Sequence, residues 1–261
     1  MTGTSLAGRW CESVETSTPM KVACSSSALH RAFESGDLTQ LEFVDLSARE
    51  WLCDGIVLDE RHFPRTDSDY LAQIKKMAAD CGLTVAALWA GDFFSADAGT
   101  MQATLECAAA IGAPLLSGAL SPETDRTWSA QLERLSIATS LAKSVNVTLA
   151  VRNAPGTYAA SSQECKRVLK EADSAWLRLG PEPQSFAVAS DPQTAMAQTV
   201  LLWSSIGSQT ERSIDETLST FDPFRGHVCL DEASGDARTA DIGGAVRAWK
   251  LAFAAKELNR T

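Results

Sequence analysis

The chain has 261 residues, of which 45% are hydrophobic, and its 33 acidic residues outnumber its 23 lysines and arginines, for a formal net charge of −10. This length suits a single α/β domain with a sizeable core. The acidic balance argues against a general affinity for phosphate backbones, so we expect no nucleic-acid partner. No apolar run approaches the roughly 18 residues that a membrane-spanning helix needs, so we expect no membrane association.

Residues 1–19 are polar, rich in serine and threonine, and lack the basic and then apolar regions of a secretory signal. We interpret them as an N-terminal extension, with a segment docked through Trp10 as the alternative, and residues 20–261 as one domain.

The seven cysteines are odd in number and none forms a C-x-x-C pair. Such usage is typical of a reduced, cytoplasmic protein.

Helical patterns and short apolar strands alternate along the chain. The predicted strands are, in order, 22–24, 56–58, 84–88, one that starts with 114–116, 147–151, 175–179, 199–203 and 227–230. The predicted helices are 41–51, 70–80, 101–111, 128–144, 162–171, 191–197, 214–220 and 241–258. Gly82, Gly112 and Asn146 each follow a helix and suit a left-handed C-terminal cap.

This alternation predicts βαβ units and a parallel sheet. Eight units in a chain of this length favour a single closed (β/α)8 barrel, a TIM barrel, with an open doubly wound sheet as the alternative. The first strand is followed by Cys24-Ser25-Ser26-Ser27 in place of the G-x-G-x-x-G turn of dinucleotide-binding proteins.

The fifth predicted strand ends in a charged residue. Residues 148–156 read T-L-A-V-R-N-A-P-G, so the apolar run stops at Arg152 and Asn153. Barrel enzymes carry their active sites at the carboxyl ends of the strands, so we expect Arg152 at that mouth. It either clamps a carboxylate or phosphate of a ligand or pairs with Asp231 or Glu232 after strand 8. Only one of these two acidic neighbours can face inward.

The densest polar cluster, D-E-R-H-F at 59–63, follows the second strand. We predict that His62 is a general base or a metal ligand, oriented by Asp59, with a solvated loop in which Arg61 pairs with a carboxylate as the alternative. His30 and His227 carry less weight, because His30 lies in a helix of the first loop and His227 lies at the bottom of the barrel.

Two tryptophans, Trp89 and Trp203, end the third and seventh strands. They either form an apolar wall for a sugar ring or cap the barrel core. Glu182 follows the sixth strand and is a further polar residue at the predicted mouth.

Seven segments, in this order and spacing, resemble the xylose isomerase-like TIM barrels, the sugar phosphate isomerases/epimerases whose superfamily includes endonuclease IV-type enzymes. The resemblance covers about residues 20–236. The segments are C-S-S-S-A-L, L-T-Q-L-E-F-V-D-L-S-A-R-E, D-G-I-V-L-D-E-R-H-F, A-A-D-C-G-L-T-V-A-A-L, A-A-A-I-G-A-P-L-L, V-T-L-A-V-R-N-A-P-G and G-H-V-C-L-D-E.

The resemblance implies a divalent metal such as Mn, Mg or Zn, held by a Glu that ends strand 5, a carboxylate near strand 6, a His in the later half and a Glu that ends strand 8. Here Arg152 stands at the strand-5 Glu position, and no His lies between His62 and His227. Glu182 stands near strand 6, and Asp231 or Glu232 at strand 8. A fixed positive charge repels a cation, so we predict that the metal site is lost and expect no cofactor.

The resemblance also implies an isomerase or epimerase of a small sugar or sugar phosphate, in carbohydrate metabolism. The alternative is a non-catalytic barrel that binds a sugar or a small anion. For the enzyme, the expected catalytic residues are His62, Arg152, Asp231 and Glu232. The expected substrate-binding residues are Asp59, Trp89, Asn153, Glu182 and Trp203.

Overall fold

A computed structural model describes residues 20–186, 197–222 and 224–258. Eight parallel strands in these residues form one sheet in the order β6-β5-β4-β3-β2-β1-β8-β7. They are β1 Lys21–Ser25, β2 Gly55–Asp59, β3 Thr84–Trp89, β4 Leu115–Ala119, β5 Thr148–Arg152, β6 Leu177–Leu179, β7 Leu201–Ser205 and β8 His227–Asp231.

The sheet closes on itself through a short parallel bridge between Leu179 and Thr199. The Leu179 amide donates to the Gln198 carbonyl, and the Val200 amide donates to the Leu179 carbonyl, both at 2.9 Å. The predicted single (β/α)8 barrel is therefore confirmed. The sixth strand is shorter than predicted, because the Leu177 amide turns back to the Ser174 carbonyl and the preceding residues form a turn.

The helices of the described residues follow the strands in sequence. They are α1 His30–Ser35, α2 Gln40–Arg49, α3 Ser68–Asp80, α4 Ala98–Ile111, α5 Trp128–Val145, α6 Ser162–Ala172, α7 Glu211–Thr220 and α8 Thr239–Leu258. The predicted extension 1–19, and most of the predicted helix 191–197, lie outside the described residues. No helix of 20–186, 197–222 or 224–258 is long and apolar enough to cross a membrane.

Local sequence sets the helix ends. Thr39 and Ser161 each form a capping box with the Glu three residues later, at the starts of α2 and α6. The predicted left-handed residues are confirmed, with φ of +72° at Gly82, +79° at Gly112 and +58° at Asn146. These caps allow each helix to stop and feed the next strand after a short turn.

The hydrophobic core has two parts. The larger part lies between the strands and the surrounding helices, and the smaller part fills the barrel with Ala23, Val57, Ala86, Ala87, Leu201, Trp203 and Cys229. Most of these interior side chains are small, and Trp203 is the largest of them. The indole therefore fills the barrel up to the carboxyl ends of the strands. Side chains that follow the strands pack on top of it.

The cysteines behave as buried thiols in the described part of the chain. Cys24, Cys53, Cys107, Cys165 and Cys229 are buried and free, and Cys81 is half-buried and free. Burial raises the pKa of Cys53 and Cys165 to about 12, so these thiols stay protonated at neutral pH.

The close approach of two strand ends requires a glycine at Gly118. A Cβ at Gly118 would lie 2.6 Å from the Ala90 carbonyl oxygen, whereas a Cβ at Gly244 in α8 would have no atom within 4 Å. We predict that Gly118→Ala lowers the free energy of unfolding by about 1–3 kcal/mol. The matched change Gly244→Ala should raise it by about 0.5–1 kcal/mol, because alanine favours a helix. Urea denaturation of both variants checks this, and equal effects would contradict the packing of β3 on β4.

Candidate functional site

Arg152 lies at the carboxyl end of β5 and joins three parts of the barrel mouth. Its Nη1 donates to Asp231 Oδ2 at 2.7 Å, and its Nη2 donates to Glu182 Oε2 at 2.9 Å. The side chains of Arg152, Glu182 and Asp231 are only 14%, 12% and 7% exposed. The expected pairing with a strand-8 carboxylate is thus present, and Asp231 makes it.

The guanidinium group packs on two tryptophans, Trp89 at the end of β3 and Trp203 in the middle of β7. The prediction that Trp203 ends the seventh strand is wrong, because β7 runs on to Ser205. Its carbon lies 4.3 Å from the ring centre of Trp203 and 5.2 Å from that of Trp89. The two indoles meet edge to face with centres 5.2 Å apart. The negative ring faces stabilise the cation from below. Trp203 is 0% exposed, so it supports the site and does not form a wall that a ligand touches.

A cavity of about 390 Å³, here called the mouth cavity, opens above Arg152. Of the predicted site residues, Trp89, Arg152, Asn153, Glu182, Asp231 and Glu232 line the mouth cavity. Ser27, His30 and Arg61 line it as well. Asp59, His62 and Trp203 do not. The structure therefore brings most of the predicted set together and leaves three members beneath or beside the mouth.

The two acidic residues that end β8 diverge, as neighbours on a strand must. Asp231 faces inward, where its Oδ1 accepts a hydrogen bond of 2.7 Å from the Ser27 hydroxyl. Glu232 turns to the rim, and its Oε2 accepts from the Gly207 amide at 2.8 Å. Asp231 is thus the central carboxylate and Glu232 lies at the edge of the mouth cavity.

Asn153 holds Glu182 in place through the backbone. Its Oδ1 accepts from the Glu182 amide at 2.7 Å, and its Nδ2 donates to the Glu182 carbonyl at 3.2 Å. The Glu182 side chain is then fixed by Arg152 through Oε2 alone. Among the described residues, Oε1 of Glu182 accepts no hydrogen bond.

The expectation that Asp59 orients His62 is wrong. Asp59 is buried, and its carboxylate accepts from Arg61 Nε and Nη2, the shortest contact being 2.6 Å. His62 instead bonds Ser26 Oγ through Nδ1 at 3.0 Å and His30 Nδ1 through Nε2 at 2.9 Å. Ser26 is not predicted from the sequence as the partner of His62, because the two residues are 36 positions apart in the chain.

Burial and nearby charges together determine the charge states of Arg152 and His62. Burial lowers the pKa of Arg152, but Asp231 and Glu182 more than offset it and the pKa lies above its ordinary value, so the guanidinium stays charged. Burial also lowers the pKa of His62 to about 4, against a smaller opposing effect of Asp59. His62 is therefore neutral at pH 7.

The donor set at the mouth does not fit a divalent cation as it stands. The two convergent carboxylates, Asp231 and Glu182, are bound by Arg152 where a metal would need them. In the described part of the chain, no three or more His, Cys, Asp or Glu side chains are grouped so as to hold a metal ion.

Solved structures share this architecture across most of the chain. A D-psicose 3-epimerase crystallised in the presence of D-fructose is 14% identical, with a TM-score of 0.69 over 89% of this chain and 98% of that chain. The D-psicose 3-epimerase of Clostridium cellulolyticum H10 with D-tagatose is 14% identical, with a TM-score of 0.71 over 89% of this chain and 98% of that chain. A xylose isomerase domain protein of Planctomyces limnophilus is 8% identical, with a TM-score of 0.71 over 92% of this chain and 99% of that chain.

The chain has the TIM-barrel fold that these structures share. The fold expected from the sequence resemblance is thereby confirmed. No protein-family model matches the sequence, and no curated protein sequence matches it either. At such low identities the likeness establishes the fold alone, and function has to be argued from the site.

We predict that Arg152→Met lowers the free energy of unfolding at pH 7 by about 3 kcal/mol or more, because it leaves two largely buried carboxylates without a cation. The exposed pair of Arg212 with Glu216 provides the control, where Arg212→Met should cost less than about 0.5 kcal/mol. Guanidinium denaturation of both variants at pH 7 checks this, and equal losses would contradict it.

The neutral state of His62 predicts a pH dependence of stability. Its folded pKa of about 4 lies below the unfolded value of about 6.5, so the unfolded state binds its proton first as pH falls. The stability that the folded state gains from keeping His62 neutral is complete above about pH 6.5. It decreases as the pH falls towards 4, by at most about 3 kcal/mol. Burial also lowers the pKa of His227, to about 4. His62→Gln should therefore flatten, and not abolish, the slope between pH 7 and 4.5; an unchanged slope would refute the assignment.

Proposed function

We propose that the protein binds a small, unphosphorylated sugar in the mouth cavity and isomerises or epimerises it without a bound divalent metal. The observation that carries the proposal is the guanidinium of Arg152, which sits between Asp231 and Glu182 at the carboxyl ends of the strands. A charged group that is buried, preorganised and open on one side to a cavity is the arrangement that stabilises developing negative charge.

The lining of the mouth cavity suits a polyhydroxylated ligand. Trp89 offers an apolar ring, Glu182 offers a carboxylate oxygen, and His30 offers an imidazole. Hydroxyl groups of a sugar need acceptors and donors of this kind around an apolar face. Proteins of the same fold that are named D-psicose 3-epimerase and were crystallised with D-fructose or D-tagatose support the same ligand class.

The cavity favours a neutral sugar over a sugar phosphate. Its lining contains two arginines and no lysine. Arg152 is bonded to two carboxylates and Arg61 is bonded to Asp59, so each cation is already balanced within the protein. Glu232 adds a further negative charge at the rim. A phosphate dianion would therefore enter a site without a surplus of positive charge.

We further propose that the metal site of related barrels is lost here. A divalent cation needs oxygen or nitrogen ligands that are free to bind it, and both convergent carboxylates are committed to Arg152. Arg152 supplies one fixed positive charge at the point where the resemblance implies a metal ligand. The catalytic role expected of Arg152 thus becomes that of the electrophile.

The reaction is a proton transfer beside a carbonyl group. Glu182 Oε1 removes the proton from the carbon next to the carbonyl, the C–H electron pair forms a carbon–carbon double bond, and the carbonyl electron pair moves to oxygen. N–H groups of Arg152 that do not bond the carboxylates donate to this enediolate oxygen. Return of the proton to the neighbouring carbon, with a hydroxyl proton passing between the oxygens, gives the isomer. Protonation of the original carbon on the opposite face by a water molecule gives the epimer, and the hydroxide that remains takes the proton from Glu182.

A non-catalytic sugar-binding barrel is the second candidate, and one observation favours it. Both oxygens of Asp231 and both ring nitrogens of His62 are already bonded within the protein. Two of the four residues expected to be catalytic are therefore already engaged within the protein, which leaves Glu182 as the principal base at the mouth.

Deuterium exchange separates the two candidates. In D2O, we expect the protein to exchange the proton beside the carbonyl of a ketose such as D-fructose or D-tagatose, at a rate unaffected by EDTA. Glu182→Gln should retain binding and lose exchange by about 100-fold or more, because it removes the base. Glu133→Gln, at an exposed position of α5, is the matched control and should leave the rate unchanged.

NMR of the sugar follows the exchange, and calorimetry follows the binding. Exchange that requires added Mn²⁺ would refute the metal-free mechanism. Binding of the sugars without any exchange would establish the second candidate in place of the first.

A further inference from the structure

A second and larger cavity of about 780 Å³ lies beside the mouth, between the β1–α2 region and the loop after β2. We call it the outer pocket. Its apolar lining consists of Phe33, Leu38, Leu41, Phe63, Pro64 and Tyr70. A pocket lined by aromatic and aliphatic side chains with a few polar groups is typical of a site for an apolar ring.

One polar side chain of the outer pocket has no partner. Gln40, the first residue of α2, is 1% exposed, and within the described chain neither its Nε2 nor its Oε1 forms a hydrogen bond. A buried amide without partners is costly, at about 1–3 kcal/mol for each unsatisfied group. The amide lies just beneath the surface of the pocket, so a ligand group that both donates and accepts, such as a hydroxyl, would satisfy it when the Gln40 side chain turns toward the pocket.

The outer pocket and the mouth cavity share two lining residues, His30 and Arg61. These side chains therefore separate the two spaces. Arg61 uses Nε and Nη2 for Asp59, and its Nη1 has no acceptor among the described residues. His30 Nε2 lies 3.2 Å from Glu34, an exposed carboxylate. Contacts of this exposed kind are weak, so a ligand atom at the junction can replace Glu34.

A chain of hydrogen bonds sets the direction in which His30 donates. A carboxylate accepts only, so His30 carries a hydrogen on Nε2, which faces Glu34, and its Nδ1 is bonded to His62 Nε2. His62 then accepts at Nδ1 from the Ser26 hydroxyl, which in turn accepts from the Asp59 amide at 2.8 Å. Phe33 covers the His62 ring at 4.0 Å between centres. His62 is thus a positioning residue, and His30 presents an N–H at the junction.

We infer that the outer pocket binds a hydroxylated apolar ring that is attached to the sugar in the mouth cavity. This inference rests on the proposed function, and it names an extended ligand with two chemically different ends. The sugar end occupies the mouth cavity, the ring packs on Phe63 and its neighbours, and the ring hydroxyl bonds Gln40. His30 and Arg61 donate to the oxygen that links the ends.

Three probes test this inference by calorimetry. They are D-fructose, 4-hydroxybenzyl alcohol, and D-fructose that carries a 4-hydroxybenzyl ether on C6, the carbon farthest from the carbonyl. We expect the linked probe to bind at least tenfold more tightly than D-fructose. Phe63→Ala should remove most of that gain and leave D-fructose binding unchanged. Leu251→Ala, at an exposed leucine of α8, is the matched control and should change neither affinity.

Gln40→Leu provides a second and independent variant. It should bind a linked probe with an unsubstituted benzyl ring as tightly as the hydroxylated one, whereas the wild-type protein should prefer the hydroxylated ring. Equal affinity of the wild-type protein for the linked probe and for D-fructose would overturn the inference, as would a gain that survives both substitutions. Binding of 4-hydroxybenzyl alcohol that depends on Phe63, without any sugar binding, would overturn the proposed function and support the outer pocket as a ring site.

Discussion

The double ion pair of Arg152 with Asp231 and Glu182 is the interaction on which the mouth depends. It connects β5, the turn after β6 and β8 across the open end of the barrel, although β5 and β8 are not neighbours in the sheet. Three charges removed from water are costly unless each is closely paired. Here one cation lies within 2.9 Å of two anions and above two indole faces, so the group retains its charge despite burial.

This arrangement changes what the fold can do. A bound metal ion can be exchanged, can accept several ligands and carries two charges, whereas a guanidinium is part of the chain and carries one. Its position is set by the packing of Trp203 in the barrel and by the register of β5 between β4 and β6. A fixed cation of this kind can stabilise an enediolate only in one geometry. Specificity for a substrate must therefore come from the shape of the surrounding cavity.

The sequence alone predicts the fold and the centre of the site, because both depend on local patterns. The apolar run that stops at Arg152 identifies a strand end, and the alternation of eight such strands with helices identifies the barrel that brings the ends together. Glycine and asparagine caps such as Gly112 and Asn146 mark the helix ends independently of tertiary structure. For the same reason Arg152, Glu182 and Asp231 could be assigned to one mouth before their contacts were known.

What the sequence does not predict depends on the rotation of each side chain within the closed barrel. Asp231 and Glu232 are chemically alike, and only the pleat of β8 decides that Asp231 faces inward. Trp89 and Trp203 both stand at predicted strand ends, yet Trp89 ends β3 and lines the mouth cavity, whereas Trp203 lies within β7 and is fully buried below it. His62 looked like the principal base because ionisable neighbours surround it in sequence. In space Asp59 bonds Arg61, Glu60 accepts from Thr104, and the histidine at the mouth is His30.

His30 and His62 illustrate two kinds of polar group at the barrel mouth, one fixed by contacts within the protein and one open to a ligand. His62 has both ring nitrogens bonded and is stacked under Phe33, so it holds a fixed orientation and a neutral charge. His30 has one nitrogen bonded to His62 and the other to an exposed carboxylate that a ligand can displace. The same division holds for the arginines, since Arg152 is buried between two anions, while Arg61 is half-exposed and its Nη1 has no acceptor in the part of the chain that the structure describes. In each pair the buried group determines the geometry, and the exposed group remains available to whatever enters from the outer pocket.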